Sequence, residues 1–162
     1  MVKYAMEVRL VPLSLERVND YVRWFNTAVV RKRLMPETPR TKNMISNWIN
    51  VTVSDSASQY FSIFLPEENV YVGHVGLKCI NTAQKTAEIG IVIGEPLFWR
   101  KHIGTLAFKE LLKVSPDEID SLNAIIDKKN RPSILFFLSL GFTNSKNQCG
   151  KSNKLVFHIP PQ

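Results

Sequence analysis

The spacing of apolar residues changes along this chain, and that change limits the folds open to it. From residue 15 to 54 apolar side chains recur every three or four positions, which is typical of helices that bury one face. From residue 59 to 93 they alternate or run continuously between short polar turns, which is typical of strands. Helical spacing returns after residue 102. The pattern favours a fold that mixes helices and strands around one sheet.

Local signals place the elements more closely. Ser14 is suited to cap a helix, Pro36 and Pro39 end one, and Gly141 is suited to terminate the last one. The sequence predicts strands over 8–13, 59–65, 70–80, 87–93, 122–126 and 155–159. It predicts helices over 16–25, 29–34, from 41 to the serine-rich loop at 54–58, over 103–112 and over 130–140.

The order of these elements predicts a mixed α+β sheet. The three middle strands are joined by short turns, which makes them an antiparallel meander. The strand, helix, strand units after residue 87 require a parallel crossover. In such a sheet a ligand binds near the carboxyl ends of the parallel strands, and 91–105 lies there.

Size and charge narrow the class of protein. A chain of 162 residues is expected to form one domain, 1–162. No apolar run reaches the roughly 18 residues that span a bilayer, so we expect no membrane segment. The only cysteines are Cys79 and Cys149, and their spacing matches no metal site. Two free thiols favour a cytoplasmic protein. The net charge of +7 predicts an anionic partner, and it divides into +5 for 1–50, −2 for 51–100 and +4 for 101–162.

The turn at 98–105 joins the end of a strand to the start of a helix. A helix start presents backbone N–H groups without intrahelical partners, so it suits a phosphate. Gly104 permits close approach of the backbone, Thr105 offers a hydroxyl, and Arg100 and Lys101 add positive charge. An ordinary solvated turn would look much the same, so the residues alone leave both readings open.

Several segments together resemble the GNAT superfamily of N-acetyltransferases. The runs at 87–94 and 99–105 resemble its acetyl-CoA motif. Asn130-Arg131-Pro132-Ser133, followed by Leu140-Gly141-Phe142, is similar to a hallmark of the branch that contains the ribosomal-protein N-terminal alanine acetyltransferases. The segment 10–34 also fits, so the resemblance covers nearly the whole chain.

The resemblance implies a GNAT-like fold: a largely antiparallel mixed sheet of six to seven strands, about four helices, and a parallel pair that separates at the cosubstrate. It implies transfer of an acetyl group from acetyl-CoA to a primary amine in a ternary complex. The residues implied at acetyl-CoA are the backbone of Ile91, Val92 and Ile93 at the pantetheine, Arg100, Lys101, His102, Ile103, Gly104 and Thr105 at the pyrophosphate, and Asn130, Ser133 and Phe137 near the pantetheine and sulfur.

The chain departs from the family pattern at three positions. His102 replaces the first motif glycine, which predicts weaker binding of CoA or a shifted loop. Trp99 stands where Arg or Gln is common. Phe137 occupies the position of a tyrosine that protonates the leaving thiolate, so Ser133 or water must do so here; a thiol with a pKa of about 8.5 leaves without strong acid help.

An alkylammonium has a pKa of about 10, so the acceptor must lose a proton before it attacks. Glu88 is the first candidate base, because it lies on the strand leading to the cosubstrate between Ala87 and Ile89. The alternative is that Glu88 simply faces solvent. His74 is the second candidate, although a lone histidine on a strand is more often structural. The predicted catalytic residues are therefore Glu88 and Ser133.

The acceptor is less well specified. Residues expected to line its site are Trp24, Arg33, Tyr60 and His74. The basic first third of the chain fits a small amine that carries phosphate, such as a nucleotide-linked amino sugar. A protein N-terminus and a catalytically weakened acyl-CoA-binding module are the alternatives. We expect no metal and no nucleic acid, and a monomer or homodimer.

Overall fold

The computed structural model describes residues 6–34, 38–144 and 154–159, and it describes 154–159 by their backbone. These residues form seven strands, five α-helices and two single-turn 3-10 helices, at Leu15–Arg17 and Pro96–Phe98. The strands are β1 (Arg9–Pro12), β2 (Gln59–Leu65), β3 (Val70–Asn81), β4 (Thr86–Ile93), β5 (Ser121–Asp127), β6 (Thr143–Asn144) and β7 (Lys154–Ile159). The helices are α1 (Val18–Asn26), α2 (Ala28–Leu34), α3 (Lys42–Ser54), α4 (Ile103–Val114) and α5 (Arg131–Ser139).

The sheet is mixed, as predicted. Its strand order is β1-β2-β3-β4-β5-β7-β6. β1 pairs antiparallel with β2, and β7 pairs antiparallel with both β5 and β6, whereas β4 and β5 are parallel. The register of the parallel pair runs from Thr86 opposite Ser121 to Glu88 opposite Asn123 and ends there. The described part of the chain has five α-helices, as the apolar spacing predicts, and the family resemblance implied about four.

The chain divides into two compact units. The first comprises the described residues of 1–76 and 91–114, and the second those of 77–90 and 115–162. The single domain over 1–162 stays a prediction. No helix in the described ranges is long and apolar enough to cross a membrane. Cys79 is an exposed free thiol, and Cys149 lies outside the described residues.

Side-chain caps begin three of the helical segments. Ser14, Thr41 and Asn130 each accept a hydrogen bond from a backbone N–H in the first turn of the helix that follows. A cap of this kind contributes about 1 kcal/mol to helix stability. Gly141 follows α5 with a φ of 94°, the left-handed conformation that glycine adopts most readily. Of the side-chain caps, Ser14 was predicted from the sequence.

The core of the first unit forms where α1 and α3 pack together. The buried side chains of this cluster are Leu13, Val18, Tyr21, Trp24, Ile45 and Ile49. Tyr21 is fully buried, and its hydroxyl shares a 2.9 Å hydrogen bond with the Ser62 hydroxyl on β2. Burial raises the pKa of Tyr21, so the hydroxyl stays neutral in the folded protein.

Candidate active site

The turn between β4 and α4 has an unusual backbone. Arg100 has a φ of 61° and His102 a φ of 60°, so both residues adopt the left-handed conformation. The first backbone hydrogen bond of α4 runs from the Leu106 N–H to the His102 carbonyl at 3.0 Å. The N–H groups of residues 103–105 therefore precede the helical hydrogen bonds. A turn with left-handed residues before a helix start presents N–H groups that suit an anion.

His102 occupies the left-handed conformation that a glycine would adopt at this position. Histidine is among the few residues enriched there, so the turn keeps its geometry without glycine. The His102 side chain is exposed, Lys101 beside it is exposed, and Gly104 and Thr105 are half-buried. Ile103 is buried, 1% exposed, and anchors the first turn of α4 to the core. Weaker binding of CoA because of His102 stays a prediction.

Trp99 attaches this turn to the end of β4. Its indole N–H donates a 2.8 Å hydrogen bond to the Ile93 carbonyl. The Arg33 guanidinium of α2 lies over the same ring, with Cζ 3.5 Å from the ring centroid. Burial lowers the pKa of Arg33, and the neighbouring Arg100 cation lowers it further. This contact could not be predicted from the sequence, because α2 and the turn are far apart in the chain.

The end of β4 contains a β-bulge. The backbone N–H groups of Gly94 and Glu95 both donate to the Val72 carbonyl on β3, at 2.7 and 3.3 Å. The Glu95 carboxylate accepts a 2.8 Å hydrogen bond from the Trp24 indole and forms an ion pair with Arg23. Glu95 thus fixes α1 to the bulge, a role that sequence reasoning missed.

Two glycines allow close packing around this bulge. A Cβ on Gly73 would overlap the Val92 carbonyl oxygen, and a Cβ on Gly94 would overlap the Trp24 side chain. Any larger residue at either position would therefore clash with its neighbours. The strand segment that carries Ile91, Val92 and Ile93 is half-buried beside them.

His74, on β3, is enclosed by aromatic rings. Its ring centroid lies 5.4 to 5.9 Å from those of Tyr21, Phe25, Trp48 and Tyr60. The residue is 6% exposed, and its buried Nδ1 has no hydrogen-bond partner among the residues that the structure describes. Burial lowers the pKa of His74 to about 4, so the imidazole is neutral at physiological pH. A neutral imidazole with a vacant nitrogen can accept a hydrogen bond or a proton from an amine.

The burial of His74 predicts a pH dependence of stability. The unfolded chain binds a proton near the ordinary pKa of 6.5, whereas the folded protein does so only at about 4, so protonation favours unfolding. The contribution of neutral His74 to the free energy of unfolding is complete above pH 6.5. It is lost as the pH falls to about 4, which lowers the free energy of unfolding by roughly 3 kcal/mol. In urea unfolding across this pH range, the free energy of unfolding should fall less for His74→Phe than for the parent protein. Parallel curves would contradict the assignment.

The other residues expected at the acceptor site have different surroundings. Tyr60 is half-buried, with its ring centroid 6.1 Å from that of Trp48 and 5.8 Å from that of His74. Trp24 is 1% exposed, belongs to the core, and donates its indole N–H to the Glu95 carboxylate. Tyr60 and His74 are thus brought together, while contact of Trp24 with an acceptor stays a prediction.

The remaining predicted residues lie in the second unit. Glu88 pairs with Lys78, at 2.8 Å between Oε1 and Nζ, and its side chain is 18% exposed. Asn130 caps α5 by accepting a 3.3 Å hydrogen bond from the Ser133 N–H. Phe137 is buried, with its ring edge-on to Phe142 at 5.0 Å. Their roles toward acetyl-CoA and catalysis stay predictions. Among the residues that the structure describes, no group of three or more His, Cys, Asp or Glu side chains could hold a metal ion.

Comparison with known proteins agrees with this architecture. An uncharacterised protein of Methanocaldococcus jannaschii is 36% identical over 100 residues, which is 60% of this chain. The match spans about a fifth of that relative's length. A solved domain from the same species has a TM-score of 0.77 at 26% identity, covering 96% of this chain and 99% of that one.

A spermidine N-acetyltransferase of Vibrio cholerae, solved with CoA and spermine, has the same fold. Its TM-score is 0.80 at 16% identity, with 95% of each chain covered. Residues 7–143 match the acetyltransferase (GNAT) domain family. That match covers most of the chain and confirms the family that the sequence motifs resemble. The chain belongs to the GNAT acetyltransferase family.

Proposed function

We propose that this protein transfers an acetyl group from acetyl-CoA to the primary amine of a small acceptor. The observation that carries the proposal is the turn at 99–105, with left-handed residues at 100 and 102 immediately before α4. Membership of the GNAT family supports it, and the Vibrio spermidine enzyme with the same fold was solved with CoA and an amine.

The residues of the turn fit a pyrophosphate. The N–H groups of Ile103, Gly104 and Thr105 lie before the first helical hydrogen bond, and the positive end of the helix dipole adds to their attraction for anions. Arg100, Lys101 and His102 are exposed beside them. Gly104 leaves room for the phosphate oxygens to approach the backbone. Binding here would hold the nucleotide end of acetyl-CoA.

The end of β4 suits the pantetheine arm. Ile91, Val92 and Ile93 are half-buried, and the bulge that follows turns the chain away from β3. The Ile93 carbonyl already accepts from Trp99, which fixes the orientation of this peptide. The N–H of the same peptide belongs to Gly94 and already donates to the Val72 carbonyl, so the amide that stabilises the negative charge on the thioester oxygen would come from Ile91, Val92 or Ile93.

Protonation of the leaving sulfur needs a group other than Phe137. That side chain is buried among aromatic rings and has no proton to give. Ser133, in the first turn of α5, is half-buried and carries a hydroxyl. We assign this proton to Ser133 or to water, and we assign Asn130 and Phe137 to the cosubstrate.

Two residues are candidates for the proton acceptor. His74 is neutral, lies among the aromatic rings of the first unit, and has a vacant Nδ1. A pKa of about 4 makes it a weak base, so it acts better by accepting a hydrogen bond from the amine than by holding a proton. Glu88 is the other candidate, and its carboxylate pairs with Lys78.

Glu88→Gln tests that assignment. If Glu88 removes the proton, the variant should lose about tenfold to a thousandfold in turnover, and the fall of kcat/KM at acidic pH should disappear. Acetyl-CoA affinity should change by no more than a few fold. Glu110→Gln is a matched control, because Glu110 also pairs with a lysine, Lys113, at 2.6 Å. An unchanged pH profile for Glu88→Gln would exclude Glu88 as the base.

The test of the proposed function is an acetyl-transfer assay. The protein, acetyl-CoA and 5,5′-dithiobis(2-nitrobenzoic acid) are mixed with a panel of primary amines: amino sugars, phosphorylated amines, polyamines and peptides with free N-termini. CoA release that depends on an amine supports the proposal, and the preferred amine identifies the acceptor class. Acetyl-CoA binding without turnover on any amine would instead indicate an acyl-CoA-binding module.

A further inference from the structure

The peptide that joins Ile93 to Gly94 is held at both of its polar groups. Its C=O, on Ile93, accepts a 2.8 Å hydrogen bond from the Trp99 indole N–H. Its N–H, on Gly94, donates a 2.7 Å hydrogen bond to the Val72 carbonyl on β3. Because a peptide is a planar unit, hydrogen bonds at its two ends fix the orientation of the whole plane.

The preceding peptide, which joins Val92 to Ile93, packs against β3. A Cβ on Gly73 would overlap the Val92 carbonyl oxygen, so that oxygen lies directly against the backbone of Gly73. In a trans peptide the N–H and the C=O point in opposite directions. The N–H of this peptide belongs to Ile93, and it therefore points away from β3.

Strand geometry gives the same direction for the Ile93 N–H. In a β-strand the N–H and C=O of one residue point to the same edge of the strand. The Ile93 C=O points to the edge where the Trp99 indole lies, whereas the next N–H, that of Gly94, points to β3. The register of β4 with β5 ends at Glu88, before Ile93 is reached. The peptides on both sides of Ile93 are thus held, and so is the direction of its N–H.

We propose that Trp99 is a positioning residue for acetyl transfer: its indole N–H holds the Ile93 carbonyl and thereby directs the Ile93 N–H toward the thioester oxygen. The inference rests on the proposed function, and it adds a side chain that acts through Ile93. A donor that is held in place before the reaction stabilises the negative charge developing on that oxygen without a cost of reorganisation. Trp99 also belongs to the 99–105 turn, so a single hydrogen bond links that turn to the end of β4.

Trp99→Phe removes the donor and keeps a ring. Phenylalanine still offers an aromatic face to the Arg33 guanidinium, whose Cζ lies 3.5 Å from the centroid of the Trp99 ring. Trp48→Phe is the matched control, because it makes the same exchange at a half-buried tryptophan in the aromatic cluster around His74. Incorporation of 3-benzothienylalanine at position 99 keeps the shape of the indole and replaces its N–H by sulfur, so this protein is used if Trp99→Phe does not fold. Circular dichroism and thermal unfolding establish that each variant is folded.

The probe is acetyl-CoA that carries ¹³C at the thioester carbonyl, bound to the protein and followed by carbon NMR. A hydrogen bond to the carbonyl oxygen draws electron density from the carbon and moves its resonance downfield. We expect a downfield shift on binding to the parent protein and to Trp48→Phe. For Trp99→Phe we expect about half of that shift or less, because the Ile93 N–H is no longer held. Calorimetry should show an affinity for CoA, which lacks the acetyl carbonyl, within a few fold of the parent value.

Turnover gives a second readout. With the amine that the assay panel identifies, kcat of Trp99→Phe should fall about tenfold or more, while KM for acetyl-CoA stays within a few fold. Removal of a whole oxyanion donor typically lowers kcat by about a hundredfold to a thousandfold. The smaller loss is expected because Trp99 holds the donor and does not supply it.

The carbonyl shift decides the inference. An undiminished shift in folded Trp99→Phe would overturn it and leave the proposed function intact. An equal loss of affinity for CoA and acetyl-CoA would also overturn it, since Trp99 would then only maintain the turn. The absence of a downfield shift in the parent protein would show that no N–H reaches the thioester oxygen. Failure of the parent protein to bind acetyl-CoA would overturn the proposed function, and the inference with it.

Discussion

Replacing Gly73 by alanine is expected to lower the free energy of unfolding by roughly 3 kcal/mol or more, or to prevent folding. The added Cβ would overlap the Val92 carbonyl oxygen and approach the Ile93 Cα. Both are backbone atoms, so neither can move aside as a flexible side chain would. The strands would have to separate where the bulge and the proposed pantetheine site lie. Urea unfolding followed by circular dichroism measures the change.

Cys79→Ala is the control for that experiment. Cys79 lies on the same strand, β3, and is exposed, so its truncation should change the free energy of unfolding by less than about 0.5 kcal/mol. A Gly73→Ala protein as stable as the parent would show that β3 does not approach Val92 as closely as the structure describes.

Gly104→Glu is expected to weaken CoA binding at least a hundredfold. The new side chain would stand in the first turn of α4, among the N–H groups assigned to the pyrophosphate, and would bring a negative charge against it. A hundredfold loss corresponds to about 2.7 kcal/mol, which repulsion and loss of hydrogen bonds together can supply. Calorimetric titration with CoA measures the effect directly.

Leu112→Glu is the matched control for Gly104→Glu. Leu112 is on the same helix, is 41% exposed, and lies near the opposite end, so its replacement introduces the same charge away from the turn. Its CoA affinity should stay within a few fold of the parent value. Unaltered CoA binding by a folded Gly104→Glu protein would refute the placement of the pyrophosphate.

Elements with strong local signals were predictable from the sequence. The strand at 59–65 was predicted with the bounds that β2 has, because its apolar pattern ends at a serine-rich loop on one side and a proline turn on the other. The starts of α3 and α5 were predicted near Thr41 and Asn130 from the spacing of apolar residues, and the structure shows that both residues cap their helices. The parallel β4–β5 pair followed from the crossover through α4.

Contacts between distant segments were not predictable. Nothing near Arg33 in the chain indicates that it will stack on Trp99, and nothing near Trp24 indicates Glu95 as its partner. The two-residue strand β6 is too short to show a pattern, although it pairs with β7, the next strand along the chain. The periodicity of one sequence indicates which face of a helix or strand is buried, but it does not indicate which residues pack against that face.

The left-handed backbone at His102 changes how the sequence motif of the 99–105 turn should be written. The fold requires a φ of about 60° at this position, and histidine meets that requirement. What this turn needs is then a dihedral angle, which glycine adopts most readily but which histidine also adopts here. A search pattern that demands glycine at this position would reject this chain, whereas one that also admits histidine, asparagine and aspartate would retain it.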